Sequence, residues 1–238
     1  MSSKLYIFIF MFILGFSGCV QKNKQFTIVQ ESDKKGLIDQ SGEIVIKPIY
    51  KQVFRFDGNN DFSNQSNSSY AIVKDINNKF GVINQQGKPL LKPVYDSISY
   101  FFDGFMKIEI GGKYGLVDEN FQIILKPQYD EIEEFIGEIA IVKNNNRYGC
   151  INKKMQIKIK PIYNTIYSKQ ENFLRTTLDN RWGYLDNHCN ILVKPIFDYA
   201  YDFSNNIAKI IIHNEVGYIN SKGKLLSKSI FKDGSSSF

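Results

Sequence analysis

A glycine in an aromatic or basic setting returns at Gly36, Gly81, Gly115, Gly149, Gly183 and Gly217, at intervals of 45, 34, 34, 34 and 34 residues. A Lys-Pro pair keeps the same intervals at Lys47-Pro48, Lys92-Pro93, Lys126-Pro127, Lys160-Pro161 and Lys194-Pro195, and its sixth copy reads Lys228-Ser229. Two markers in register over six copies dictate an array of one small unit, whose neighbours complete a core that it cannot bury alone. The first interval is 11 residues longer than the others, and the excess falls on residues 57–69 (DGNNDFSNQSNSS). That stretch is polar and turn-rich, so it reads as a loop insertion.

Each unit reads as strands. In the third copy, Lys113 to Asp118 forms one strand, Glu119 to Phe121 a turn, and Ile123 to Pro127 the next strand. A less regular connection, Glu131 to Gly137, leads to a third strand at Ile139 to Lys143 and the turn Asn144 to Asn146. β-Branched and aromatic residues fill the strands, while Asn, Asp and Gly fill the turns. The expected unit is a three-stranded meander. Phe26 to Glu31 opens the first copy, and Ala208 to His213 opens the last.

The fifth copy, Trp182-Gly183-Tyr184-Leu185-Asp186 followed by Lys194-Pro195-Ile196-Phe197-Asp198, resembles the WG (KWG) repeat of bacterial surface and secreted proteins. Elsewhere Lys35, Phe80, Tyr114, Tyr148 and Val216 replace the tryptophan. The resemblance covers roughly residues 26 to 232 and implies an architecture rather than an activity. The fold class expected is all-β: six three-stranded meanders of about 34 residues stacked as a curved β-solenoid. A closed, propeller-like ring is the alternative.

The residue types fit such an array. A strand glycine marks a bulge or a close approach, and here it is expected to leave room for an aromatic ring of a neighbouring unit. Asp39, Asn84, Asp118, Asn152, Asp186 and Asn220 open the following turn, and can bond to backbone N–H groups two residues on. Gly42, Gly87 and Gly223 close it at positive φ; Phe121, Met155 and Cys189 take that place elsewhere, where the turn is expected to adjust. Proline should end its strand, having no N–H for the ladder. Tyr50, Tyr95, Tyr129, Tyr163, Phe197 and Phe231 recur two residues later as an inter-repeat core.

Ahead of the array stands MSSKLYIFIFMFILGFSGCVQKNKQ. Lys4 precedes an apolar run from Leu5 to Leu14, within the length of a signal h-region and too short to span a bilayer. Phe16-Ser17-Gly18-Cys19 resembles the lipobox of bacterial lipoproteins, with Phe16 where that family has leucine. The resemblance implies that residues 1–18 are a signal peptide and that Cys19 is the acylated first residue of the mature chain. Residues 19–25 then form a lipid-anchored tether, and 26–238 the β domain. Several acyl chains, at about 0.8 kcal/mol per buried methylene, anchor a protein stably. The partner through Cys19 is membrane lipid, and the expected location is the bacterial cell envelope, at the outer membrane or cell surface rather than in the cytoplasm.

Candidate chemistry is sparse. His188 and His213 are the only histidines, they occupy different repeat phases, and no Cys or His falls at zinc-ligand spacing. Cys150 lies in a strand and Cys189 in a turn; an oxidising compartment would let them pair, but their unequal phases speak against it. Glu131, Glu133, Glu134 and Glu138 form one acidic cluster without the spacing of a calcium loop, and read as a solvated face. The net charge of +6 comes from lysines spread along the chain and points to no nucleic-acid partner. The expectation is therefore a non-catalytic envelope lipoprotein, without cofactor, metal or catalytic residues, whose repeat surface binds a protein or an envelope glycan. The alternatives are a carbohydrate-active or other degradative enzyme on a β scaffold, which a pocket joining Glu133 or Glu134 to another carboxylate would favour, and a structural envelope spacer.

Overall fold

The computed structural model describes residues 26–54, 70–99, 102–168 and 172–228. The expected signal segment 1–18, Cys19 with its tether to residue 25, the 57–69 insertion, Phe231 and the polar tail lie outside them. Six antiparallel sheets follow one another along the chain, none closed into a barrel, in a solenoid-like stack. The first holds Thr27–Glu31, Lys34–Ile38 and Ile44–Tyr50. The second holds Gln52–Val53, Tyr70–Lys74, Phe80–Asn84 and Pro89–Tyr95, and the third Ser97–Ile98, Phe105–Ile110, Lys113–Asp118 and Ile123–Tyr129. The fourth holds Glu131–Ile132, Ile139–Asn144, Arg147–Asn152 and Ile157–Tyr163. The fifth holds Thr165–Ser168, Phe173–Leu178, Arg181–Asp186 and Ile191–Phe197, and the sixth Tyr199–Ala200, Ile207–Ile212, Glu215–Asn220 and Leu225–Lys228.

Five of the sheets thus have four strands, where three were expected. The connection beginning at Glu131 is not irregular throughout. Its first two residues pair with Val142 and Lys143 as an edge strand. A pair that short has little periodicity to read, and it exists because Ile132 is pulled into the seam between sheets, where it is 1% exposed.

The glycine and Lys-Pro markers explain one another. In the fifth sheet Trp182 pairs with Phe197 and Tyr184 with Val193, so Lys194, Pro195 and Ile196 stand opposite Gly183 alone. The strand bulges there instead of ending, and the bulge absorbs the N–H that proline lacks. A Cβ on Gly183 would sit 2.6 Å from the Val193 carbonyl oxygen and 2.8 Å from Pro195 N. The room left by the glycine is therefore filled by backbone of its own repeat, not by a neighbour's aromatic ring as expected. Gly36, Gly81, Gly115 and Gly149 meet the same Lys-Pro backbone. Gly217 meets side chains of Ile210 and Leu225, because the sixth copy has lost its proline and the bulge opposite the glycine.

All six turns use the expected aspartate or asparagine, and use it twice. Asp118 Oδ1 accepts from the N–H groups of Asn120 at 2.9 Å and Gln122 at 2.8 Å. Asp39, Asn84, Asn152, Asp186 and Asn220 repeat the pattern. The turn does not adjust where glycine is missing. Phe121, Met155 and Cys189 hold φ of 60°, 59° and 58°. That conformation costs about 1–2 kcal/mol, and packing of these side chains onto the preceding sheet offsets it.

Buried clusters lie between consecutive sheets. The residue after each glycine faces the following sheet and the next one faces the preceding sheet. Leu116 therefore joins the seam between the third and fourth sheets, and Val117 that between the second and third. Tyr50, Tyr95, Tyr129, Tyr163 and Phe197 are 2–7% exposed, as an inter-repeat core requires. Among the described residues no buried cluster joins the first sheet to the sixth. Tyr218 and Leu226, at register positions buried or half-buried in the other copies except at Lys158, are 38% and 51% exposed.

Candidate functional site

Two surface features depart from the repeat, and both involve the fifth sheet. The first is an aromatic row. Tyr167 stacks on Trp182 with ring centroids 5.7 Å apart and planes 14° apart. Trp182 meets Tyr199 at 5.0 Å, and Tyr199 meets Tyr201 edge-on at 4.9 Å. Tyr167, Tyr199 and Tyr201 are each about two-fifths exposed, so the row faces solvent. Its tyrosines come from the short edge strands and the residue that follows the last of them. At the same register the third and fourth copies carry Ser97 and Ser99, and Glu131 and Glu133.

Arg175 holds the row from beneath. Its guanidinium lies 5.3 Å from the Trp182 ring centroid and 5.6 Å from that of Tyr167, a cation–π geometry. Nη1 donates to the Ala200 carbonyl at 2.8 Å. Nε lies 2.5 Å from Asp202 Oδ1, an ion-pair distance that is off the line of a hydrogen bond. The Tyr184 hydroxyl donates to the Tyr201 carbonyl at 2.6 Å, and burial pushes its pKa well above the ordinary phenol value. Lys107 makes the equivalent of the Arg175 bond two sheets earlier, donating to Ile132 O at 2.6 Å.

The second feature is a groove of about 260 Å³ at the turn end of the seam between the fourth and fifth sheets, with Glu138, Lys158 and His188 among its walls. Cys150 and Cys189 are joined by a disulfide across this seam, against the expectation from their phases. Unequal phases are what a cross-seam bridge needs. The residue after the glycine points to the following sheet, and the residue that closes the turn points back to the preceding one.

The acidic cluster does not act as a unit. Glu138 lines the groove among cations, without Glu133 or Glu134. Burial raises the Glu133 pKa, followed by repulsion from Glu131 and opposed by Lys107. Among the described residues no three His, Cys, Asp or Glu side chains converge as a metal site. His188 lies at the groove, and His213 in a turn of the sixth sheet at φ 52°. Sequence reasoning missed the aromatic row. The available signal was tyrosine replacing Ser and Glu at the short-strand positions of the last two copies.

No curated protein matches the chain. Similar solved structures include BamB from Moraxella catarrhalis, at 9% identity over 85% of this chain and 72% of that chain, with a TM-score of 0.31. Apo AztD from Citrobacter koseri has 13% identity over 87% and 69%, with a TM-score of 0.35. Hsv2 from Kluyveromyces lactis has 10% identity over 68% of this chain and a TM-score of 0.31; the match spans 59% of that chain, under two thirds of its length. The model of the WG containing repeat matches residues 36–80, 80–114, 114–148, 148–182 and 182–214. Those boundaries fall at the marker glycine or the residue before it through the fifth copy, cover well over half of the chain, and show that the protein belongs to the WG-repeat family.

Proposed function

We propose that this WG-repeat protein is a non-catalytic scaffold of the bacterial cell envelope, lipid-anchored through acylated Cys19, whose repeat surface recognises a glycan or a protein. The observation that carries the binding role is the solvent-facing row Tyr167, Trp182, Tyr199 and Tyr201. Aromatic rings with a polar tip and an arginine behind them supply contact area at low entropic cost, and such residues dominate binding hot spots. The order of charge, apolar run and Cys19 supports the anchor. The Cys150–Cys189 bridge supports an oxidising compartment.

Trp182 is the only tryptophan in the chain, so its emission reports on the row directly. Titration with solubilised envelope polysaccharide, and separately with detergent-extracted envelope proteins, should change that emission in one arm. Tyr167→Ala and Tyr199→Ala should abolish the change while leaving the melting temperature near that of the parent. An unchanged emission in both arms would end the binding role. For the anchor, radiolabelled palmitate should enter the parent and not Cys19→Ala; equal labelling would remove the lipid from the proposal.

A further inference from the structure

The seam between the fourth and fifth sheets breaks a rule that the other seams keep. Nine residues after the glycine, Val45, Leu90, Ile124 and Leu192 each pack against the following sheet. In the fourth copy that position is Lys158, and it is exposed. The groove opens at this point, with Ile139 on its wall and Lys154, Gln156, Lys158, His188 and Glu138 around it.

The cations are available. Lys153 also lines the groove, but its ammonium is already paired, 2.8 Å from Asp103 Oδ2. Among the described residues, Lys154 and Lys158 have no hydrogen-bond or ion-pair partner for their ammonium groups. Asn152 donates to Gln156 Oε1 at 2.9 Å, which leaves the Gln156 amide N–H groups to donate elsewhere. Glu138 adds an acceptor to the same wall. Its charge disfavours a multiply charged anion and suits hydroxyl donors. The seam is kept together by the Cys150–Cys189 bridge, at the residue next to His188, where packing has been given up. A rule broken at one place, with a compensating device beside it, marks function.

We propose that this groove binds a singly charged carboxylate on a polyhydroxylated molecule of monosaccharide size, an acidic sugar unit. The Lys154 and Lys158 ammonium groups hold the carboxylate, Gln156 donates to a ring oxygen or hydroxyl, and Glu138 accepts from hydroxyls. The site is separate from the aromatic row and stands without it. A volume of about 260 Å³ lies just below the roughly 300–1,000 Å³ usual for small-molecule sites, which sets one sugar unit as the occupant.

The test is calorimetry on the full chain in detergent micelles, with glucuronate, glucose and inorganic phosphate as probes. Glucuronate should bind, and more weakly as salt rises. Glucose should not bind, and phosphate should bind at least about tenfold more weakly than glucuronate. Lys158→Leu and Lys154→Ala should each weaken glucuronate about tenfold or more, the loss expected of one charge-assisted bond. Tyr167→Ala should leave it unchanged, so this site and the aromatic row can fail independently. Melting curves confirm that each variant is folded. Absence of glucuronate binding, equal binding of glucose, tighter binding of phosphate, or full affinity in a folded Lys158→Leu would each overturn the assignment.

Discussion

The seams on the two sides of the fifth sheet solve one packing problem with opposite chemistry. On one side, Cys150 follows the glycine and is met by Cys189 from the facing turn; the pair is covalent and small, and Lys158 leaves the turn end open. On the other side, Tyr184 stands at the Cys150 register and Leu192 at that of Lys158, while Gly223 replaces Cys189. A Cβ on Gly223 would lie 2.7 Å from Val193 Cγ2, so the glycine is what lets the large residues close that seam. Phe197, Phe203 and Ile210 complete an aromatic-rich cluster. Register thus decides which positions meet, and the chemistry at those positions is free to vary. One seam is tightly closed by buried side chains. The other is stapled and open, which is the condition for holding a ligand.

The comparison can be broken first at the staple. Cys189→Ser, or reduction of the bridge, should destabilise by roughly 4 kcal/mol, as closure of a loop spanning a separation of 39 residues implies, and chemical denaturation reads the loss. A loss under about 1 kcal/mol would mean that the bridge is incidental to the seam. Next comes the glycine that carries the bulge. Gly183→Ala places a Cβ against fixed backbone and should cost about 2–3 kcal/mol, whereas Gly217→Ala meets the movable tip of Ile210 and should cost under about 1.5 kcal/mol. Equal melting temperatures for the two variants would contradict the bulge as the reason for the glycine.

Smaller effects sharpen the contrast. Lys158→Leu converts the open seam towards its neighbours and should stabilise by about 1 kcal/mol, partly restoring Cys189→Ser in the double variant. Tyr184→Phe strands the Tyr201 carbonyl and should cost about 1 kcal/mol without disturbing the open seam. The smallest effect concerns the straps that recur along the stack. The Lys113 ammonium, then the Asn145 N–H, hold the Asp130 carboxyl below its ordinary pKa. Asp96 is held in the same way by Lys79 and Gly111. A depressed carboxylate adds stability above its unfolded value, near pH 3.9, and that stability is lost as pH falls through the folded value. The melting temperature should therefore decline below about pH 4, and less steeply in Asp130→Asn. An identical acid slope in parent and variant would show that the strap contributes nothing.

Repetition made the array legible from the chain. The glycine and Lys-Pro series, the Asp or Asn at each turn and the aromatic two residues past each proline were all readable, because each acts within its own repeat or at a constant phase. The two-residue edge strands were not readable, since a pair such as Glu131–Ile132 has no period of its own. The purpose of the marker glycine was also hidden. It depends on strand register, and one strand's sequence does not reveal where its partner bulges.

By itself the amino-acid sequence determined the length of the unit, its number, the residue that opens each turn, and its family. Those are local hydrogen bonding and side-chain alternation, written out six times. Only the tertiary structure decided which phase of one copy touches which phase of the next. It joined Cys150 to Cys189, gathered Tyr167, Trp182, Tyr199 and Tyr201 into one row, and opened the groove at Lys158. The physical reason is that a stacked sheet presents one residue forward and the next backward, so contacts across a seam join unlike positions that no repeat alignment sets side by side.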